Sequence, residues 1–118
     1  VLAVGLDFNL GAGGKRLGPL QRQKLNLARA LIRKSDIYVF NRPLPGLDPR
    51  QQEEIVERVI TLLKQNNNNP SIIWVLSNAH LSRMFERVIV VHQGLITADG
   101  SYETLVEENG TFKEMVAT

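Results

Sequence analysis

Residues 14 to 56 read GKRLGPLQRQKLNLARALIRKSDIYVFNRPLPGLDPRQQEEIV, and they hold a helix, a strand, a turn and a second helix in direct succession. Pro19 stands where a first helical residue belongs, because its missing N–H would have no intrahelical partner there. Leu20, Leu25, Leu27, Ala28, Leu31 and Ile32 then recur at helical spacing and predict a helix to about Lys34. Ser35-Asp36 breaks that period. Ile37 to Phe40 is a short, β-rich apolar run of the kind buried on both faces of a parallel sheet. Arg42 to Gly46 holds two prolines and a glycine in five residues, which excludes regular structure. Asp48 then supplies a helix cap, Pro49 a first-position proline and Gln51 a capping-box partner. Ile55, Val56, Val59, Ile60 and Leu63 carry the second helical face to about Gln65.

The chain on either side completes an alternating pattern. Residues 1 to 18 carry Gly5, Gly11, Gly13, Gly14 and Gly18 with no sustained period, and read as loop with brief turns. Asn66 to Pro70 is a polar loop. Ile72 to Leu76 and Arg87 to His92 read as strands, with a short helix over Asn78 to Phe85 between them. His92-Gln93-Gly94 predicts a turn into a fourth strand, Leu95 to Ala98. A helix over Tyr102 to Glu108 is stopped by Asn109-Gly110, and Thr111 to Val116 forms a last one. Strands alternating with helices predict an α/β layered domain.

Composition sets outer bounds. At 118 residues the chain is one domain or a piece of one, and Val1 is not a start residue, so a longer parent is expected. An apolar share of 43% and a charged share of 22% describe an ordinary globular chain. No apolar run approaches the ~20 residues that cross a bilayer. The absence of Cys excludes disulfides, thiolate metal sites and a Cys nucleophile. A net charge of +2 is too small an excess to argue for a nucleic-acid partner.

The order of elements, together with Gln21-Arg22-Gln23, Leu27-Ala28-Arg29-Ala30-Leu31 and Pro43 to Asp48, resembles the C-terminal half of the ATP-binding cassette of an ABC transporter, most like the exporter type. Leu6-Asp7 and Leu10 to Gly14 resemble the segment before the family's signature. Gly94-Leu95-Ile96 and Gly100 to Leu105 resemble its tail, so the likeness covers essentially the whole chain. The resemblance implies a P-loop NTPase-like layered sheet with flanking helices, lacking the Walker A part. It divides the chain into a signature loop and helix, residues 1–34, and a stretch from the Walker B strand to the C-terminal helices, residues 35–118.

Scaffold positions fit the family while the chemical positions depart from it. The family's signature, Leu-Ser-Gly-Gly-Gln, presents free N–H groups of a helix N-terminus to the γ-phosphate of ATP on a partner cassette. Here the segment is Leu17-Gly18-Pro19-Leu20-Gln21, without the hydroxyl, with a proline that has no donor, and with a bulky Leu20 where a glycine allows close approach. The Walker B strand normally ends in Asp then Glu, for Mg²⁺ and for the attacking water. Here Asn41 is a neutral, weaker metal ligand, and Arg42 cannot act as a general base. Counting back from Arg87 places Ser77 at the switch histidine, with His80 out of register. The D-loop pair is kept as Leu47-Asp48, although Asp48 is equally explained as a helix cap. Ala12 stands where exporters carry a glutamate, and Gly11-Ala12-Gly13-Gly14-Lys15 lacks the spacing of a phosphate loop.

Other groupings have plainer readings. Glu53, Glu54 and Glu57 form a solvated helix face, and Lys15, Arg16, Arg22 and Lys24 a solvated helix start near the signature. Trp74 reads as core and His92 as a turn residue. The resemblance implies ATP and Mg²⁺ as cofactors of the parent family, and none for this chain alone. It implies a second nucleotide-binding domain and transmembrane domains as partners, at the cytoplasmic face of a membrane. The function expected is a degenerate cassette, non-hydrolytic or half of a composite site. The alternative is an ABC-like scaffold with no nucleotide role, and a nucleic-acid-associated ABC protein is disfavoured by the balanced charge. A chain of this extent is also expected to expose apolar sheet surface and to self-associate.

Overall fold

The computed structural model describes residue 9, residues 11–65 and residues 69–117. The resemblances placed on Leu6, Asp7 and Leu10 lie outside these residues. The chain divides into two compact units, Val1–Trp74 and Val75–Thr118.

In the first unit a 3-10 turn, Ala12–Gly14, precedes helix α1, Pro19–Ile32. Strand β1, Ile37–Asn41, helix α2, Pro49–Lys64, and strand β2, Ser71–Val75, follow, and β1 pairs with β2. The Ser71 amide donates to the Asp36 carbonyl at 2.8 Å. The core is Tyr38 and Phe40 from β1 against Val59 and Leu63 from α2, with Leu27, Ala30 and Leu31 of α1 packed on it. Phe40 meets Trp74 of β2 at 4.6 Å between ring centroids, which bears out the core reading of Trp74. The Tyr38 hydroxyl donates to the Arg33 carbonyl just past α1, so the buried phenol keeps a partner for its polar end.

The expectation of strands buried on both faces is corrected here. Burial along β1 alternates strictly, and Ile37 and Val39 are 60% and 63% exposed. On β2, Ile73 and Val75 are 53% and 40% exposed. Both helices contribute their apolar faces to one side of the strands, and among the described residues nothing covers the other side.

The segment joining β1 to α2 is held at several points. Leu44 and Leu47 are buried, and the Leu47 amide donates to the Leu44 carbonyl. The Gln52 side-chain amide donates to the carbonyls of both, at 3.3 and 3.0 Å. Asp48 caps α2 as expected: its carboxylate accepts from the Gln51 amide at 2.8 Å, and the Asp48 amide donates a longer bond to the Gln51 side-chain oxygen.

In the second unit a 3-10 helix, Ala79–Met84, stands where a short helix was expected; its last turn closes through the Phe85 amide on Ser82. Strands β3, Val88–His92, and β4, Leu95–Gly100, form an antiparallel hairpin. Its turn places Gln93 at φ 51° and Gly94 at φ 78°, the two left-handed residues of a type I′ turn. Val90 faces Ala98 and Val91 faces Ile96, so a bulge after Val90 resets the register. Helices α3, Tyr102–Glu108, and α4, Gly110–Ala117, complete the unit. Val88, Leu105 and Phe112 form its core, and Tyr102 meets Phe112 edge-on at 5.8 Å.

Arg87 donates two hydrogen bonds to Asp99, at 2.8 and 2.6 Å, across the open end of the hairpin. The hydrogen bonds from Arg87 hold the Asp99 carboxyl below its ordinary range. A depressed carboxylate stabilises the fold above its unfolded pKa, and that contribution is lost as pH falls through the lowered value. Asp99→Asn is therefore expected to lower stability slightly at neutral pH and to flatten the acid limb of a pH–stability profile by the same small amount, because the pair is exposed and screened. Leu63, fully buried, should cost about 2–5 kcal/mol in urea denaturation when replaced by Ala. Ile32→Ala, at a residue 82% exposed, should stay within about 0.5 kcal/mol.

Candidate functional site

Of the five positions that resemble the signature, Pro19, Leu20 and Gln21 form the first turn of α1 and Gly18 caps it. Gly18 is the N-cap in extended conformation, Pro19 opens the helix, and the Arg22 amide donates to the Gly18 carbonyl at 3.0 Å. The Gly18 amide is itself occupied: it donates to the Gln21 side-chain oxygen at 3.0 Å. Glycine has no side chain to return that bond, so this is half of a capping box. Leu17 is buried, and Leu20 is half-buried. Of the amides from Gly18 to Gln21, one is turned inward and one does not exist, leaving those of Leu20 and Gln21.

Asn41 ends β1 and Arg42 follows it, both exposed. Arg42 lies at φ 44°, a left-handed conformation that a non-glycine residue adopts at a cost. The proline after it makes this less ordinary still, since residues before proline prefer extended backbone. The donor set at this edge does not fit a magnesium ion. A hard dication takes oxygen ligands with carboxylate charge, and here a neutral amide adjoins a guanidinium. Among the described residues no cluster of three acidic or histidine side chains is placed to hold a metal.

The remaining candidates are placed as follows. Leu47 is an anchor of the loop and Asp48 the cap of α2. Ser77, in the second unit, is an exposed bend residue between β2 and the 3-10 helix. His80 is exposed, and its amide donates to the Asn78 side chain at 3.0 Å. His92 is exposed at the end of β3. On α2, Glu54 lies 3.9 Å from Arg50 one helical turn away, an exposed pair. Glu54, Glu57, Arg58, Thr61, Leu62 and Gln65 line an open hollow of about 600 Å³ on this helix. Gln52, which clamps the loop, escaped the sequence reading; its only signal was a long amide one position after a capping-box partner.

No protein-family model matches the chain. The lactococcin-G-processing and transport ATP-binding protein of Lactococcus lactis subsp. lactis is 30% identical over 110 residues, 93% of this chain and 15% of that protein. The glutathione/L-cysteine transport system ATP-binding/permease protein of Haemophilus influenzae is 30% identical over 113 residues, 95% of this chain and 19% of its own length. The ATP-dependent lipid A-core flippase of Chromobacterium violaceum is 30% identical over 114 residues, 97% and 19%. The chain thus spans less than a fifth of the length of these relatives. A bacterial Atm1-family ABC exporter solved with ATP bound shares the fold at a TM-score of 0.80, with 22% identity, over 98% of this chain and 20% of that one. Across nearly its whole length the chain is thus similar in sequence to ATP-binding proteins of ABC transporters, and it has the α/β fold of an ABC exporter's nucleotide-binding domain.

Proposed function

We propose that this chain is part of an exporter-type cassette that does not hydrolyse ATP with its own residues. In its parent it contributes a silent site, or one half of a composite site completed by a second nucleotide-binding domain. The observation that carries the reading is the first turn of α1. A γ-phosphate at a helix N-terminus needs several free amides, and here the Gly18 amide is bonded to Gln21 while Pro19 has none to offer. The end of β1 supports it independently. Water activation needs a group that can accept a proton near neutral pH, and a guanidinium cannot.

Magnesium and ATP would belong to the parent assembly, with the ion held by residues other than Asn41 and Arg42. Transmembrane domains of the same transporter would be the partners through which nucleotide binding is felt, at the cytoplasmic face of the membrane. No described helix is long and apolar enough to cross a bilayer.

Titrating the purified chain with ATP and Mg²⁺ by calorimetry, alongside a phosphate-release assay, tests the proposal. The expected result is no turnover, with a dissociation constant no tighter than about 1 mM. Micromolar binding or measurable phosphate release would overturn it.

A further inference from the structure

The geometry points to Arg42 as an anion-binding residue that takes the phosphate chain of a polyphosphate without a divalent cation. The inference rests on the cassette reading for the class of ligand, and on this chain's own loop for the residue.

Three observations converge on it. First, Arg42 sits just past the carboxyl end of β1, the edge of an α/β sheet where ligands are bound. Second, its left-handed backbone is retained against two preferences, that of a side-chain-bearing residue and that of a residue before proline. Such strain persists where the surroundings over-determine it. Here they do: β1 is fixed on one side by the burial of Phe40, and the next residues are fixed by buried Leu44 and Leu47, whose carbonyls are held by Gln52. The root of the Arg42 side chain is therefore set by packed neighbours and not by its own preference. Third, among the described residues no carboxylate or other side chain engages the guanidinium.

Chemistry then selects the ligand. A guanidinium offers a planar fork of donors that matches two phosphate oxygens, and its charge is fixed at every working pH. A divalent cation brought to the same edge would meet a neutral amide and a positive charge. Arg42 instead neutralises part of the phosphate charge itself, so magnesium competes with the protein for the anion.

The test titrates the isotopically labelled chain with inorganic tripolyphosphate at constant ionic strength, following amide and Arg Nε–H NMR signals. The Asn41, Arg42 and Leu44 amides and the Arg42 Nε–H signal are expected to move. Arg42→Gln should weaken binding about fivefold, a size suited to one exposed charge. Arg42→Lys, which keeps the charge without the fork, should keep only part of the affinity, and Lys113→Gln all of it. Arg42→Gly suits the left-handed backbone and should keep a dispersed native spectrum while weakening anion binding as much as Arg42→Gln does. Excess Mg²⁺ should weaken binding; ATP should move the same signals, and adenosine should not. Unchanged affinity in Arg42→Gln, a requirement for Mg²⁺, or shifts confined to Lys15, Arg16 and Arg22 would overturn the inference. Phosphate release from ATP would overturn the non-hydrolytic reading alone and leave the Arg42 result to stand or fall on the tripolyphosphate titration.

Discussion

One-sided burial of β1 governs the first unit. Tyr38 and Phe40 face α2 and α1, and the fully buried Leu63 fills the space between them. Burying a side chain of that size stabilises a fold by about 1.5–3 kcal/mol, a large fraction of what a small unit has in hand. Because strand side chains alternate, fixing Phe40 inward also fixes Val39 and Asn41 outward. The outward orientation of Asn41 at the strand end is thus set by the packing of the residue before it. The loop that follows inherits its position from the same core through Leu44 and Leu47.

Positions that fit the resemblance and positions that depart from it differ in how tightly they are packed. Leu27, Ala30 and Leu31 are half-buried but pack directly on the core of Tyr38, Phe40, Val59 and Leu63, so a change there leaves a gap or an overpacked contact. Gly18, Asn41 and Arg42 are exposed, and replacing them costs the fold little. Gln21 illustrates both sides. It matches the last residue of the signature that the segment resembles, and its side-chain oxygen is used to satisfy the amide of the N-cap, Gly18.

Local chemistry made much of this fold readable in advance. The Asp48–Gln51 box, Pro19 at the head of α1 and the turn at Gln93-Gly94 are decided by residues within a few positions of one another, and all three are present. What depends on distant packing was not readable in the same way. Ile37 to Phe40 is apolar at every position, so no period could tell that one face would be covered and the other bare among the described residues. The left-handed backbone of Arg42 carried no sequence signal, because neither arginine nor a following proline favours it. At the site, residue types could be read as lacking a base and a metal ligand, whereas the inward bond of the Gly18 amide needed coordinates.

Asn109 closes one helix and opens the next. Its amide donates to the Leu105 carbonyl at 2.9 Å, and its side-chain oxygen accepts from the Phe112 amide at 2.9 Å. Leu105 and Phe112 are also two of the three buried residues of the second unit's core. Fraying at the end of α3 therefore loosens the start of α4 through a single side chain, and the two helices would exchange their amide hydrogens as one cooperative segment.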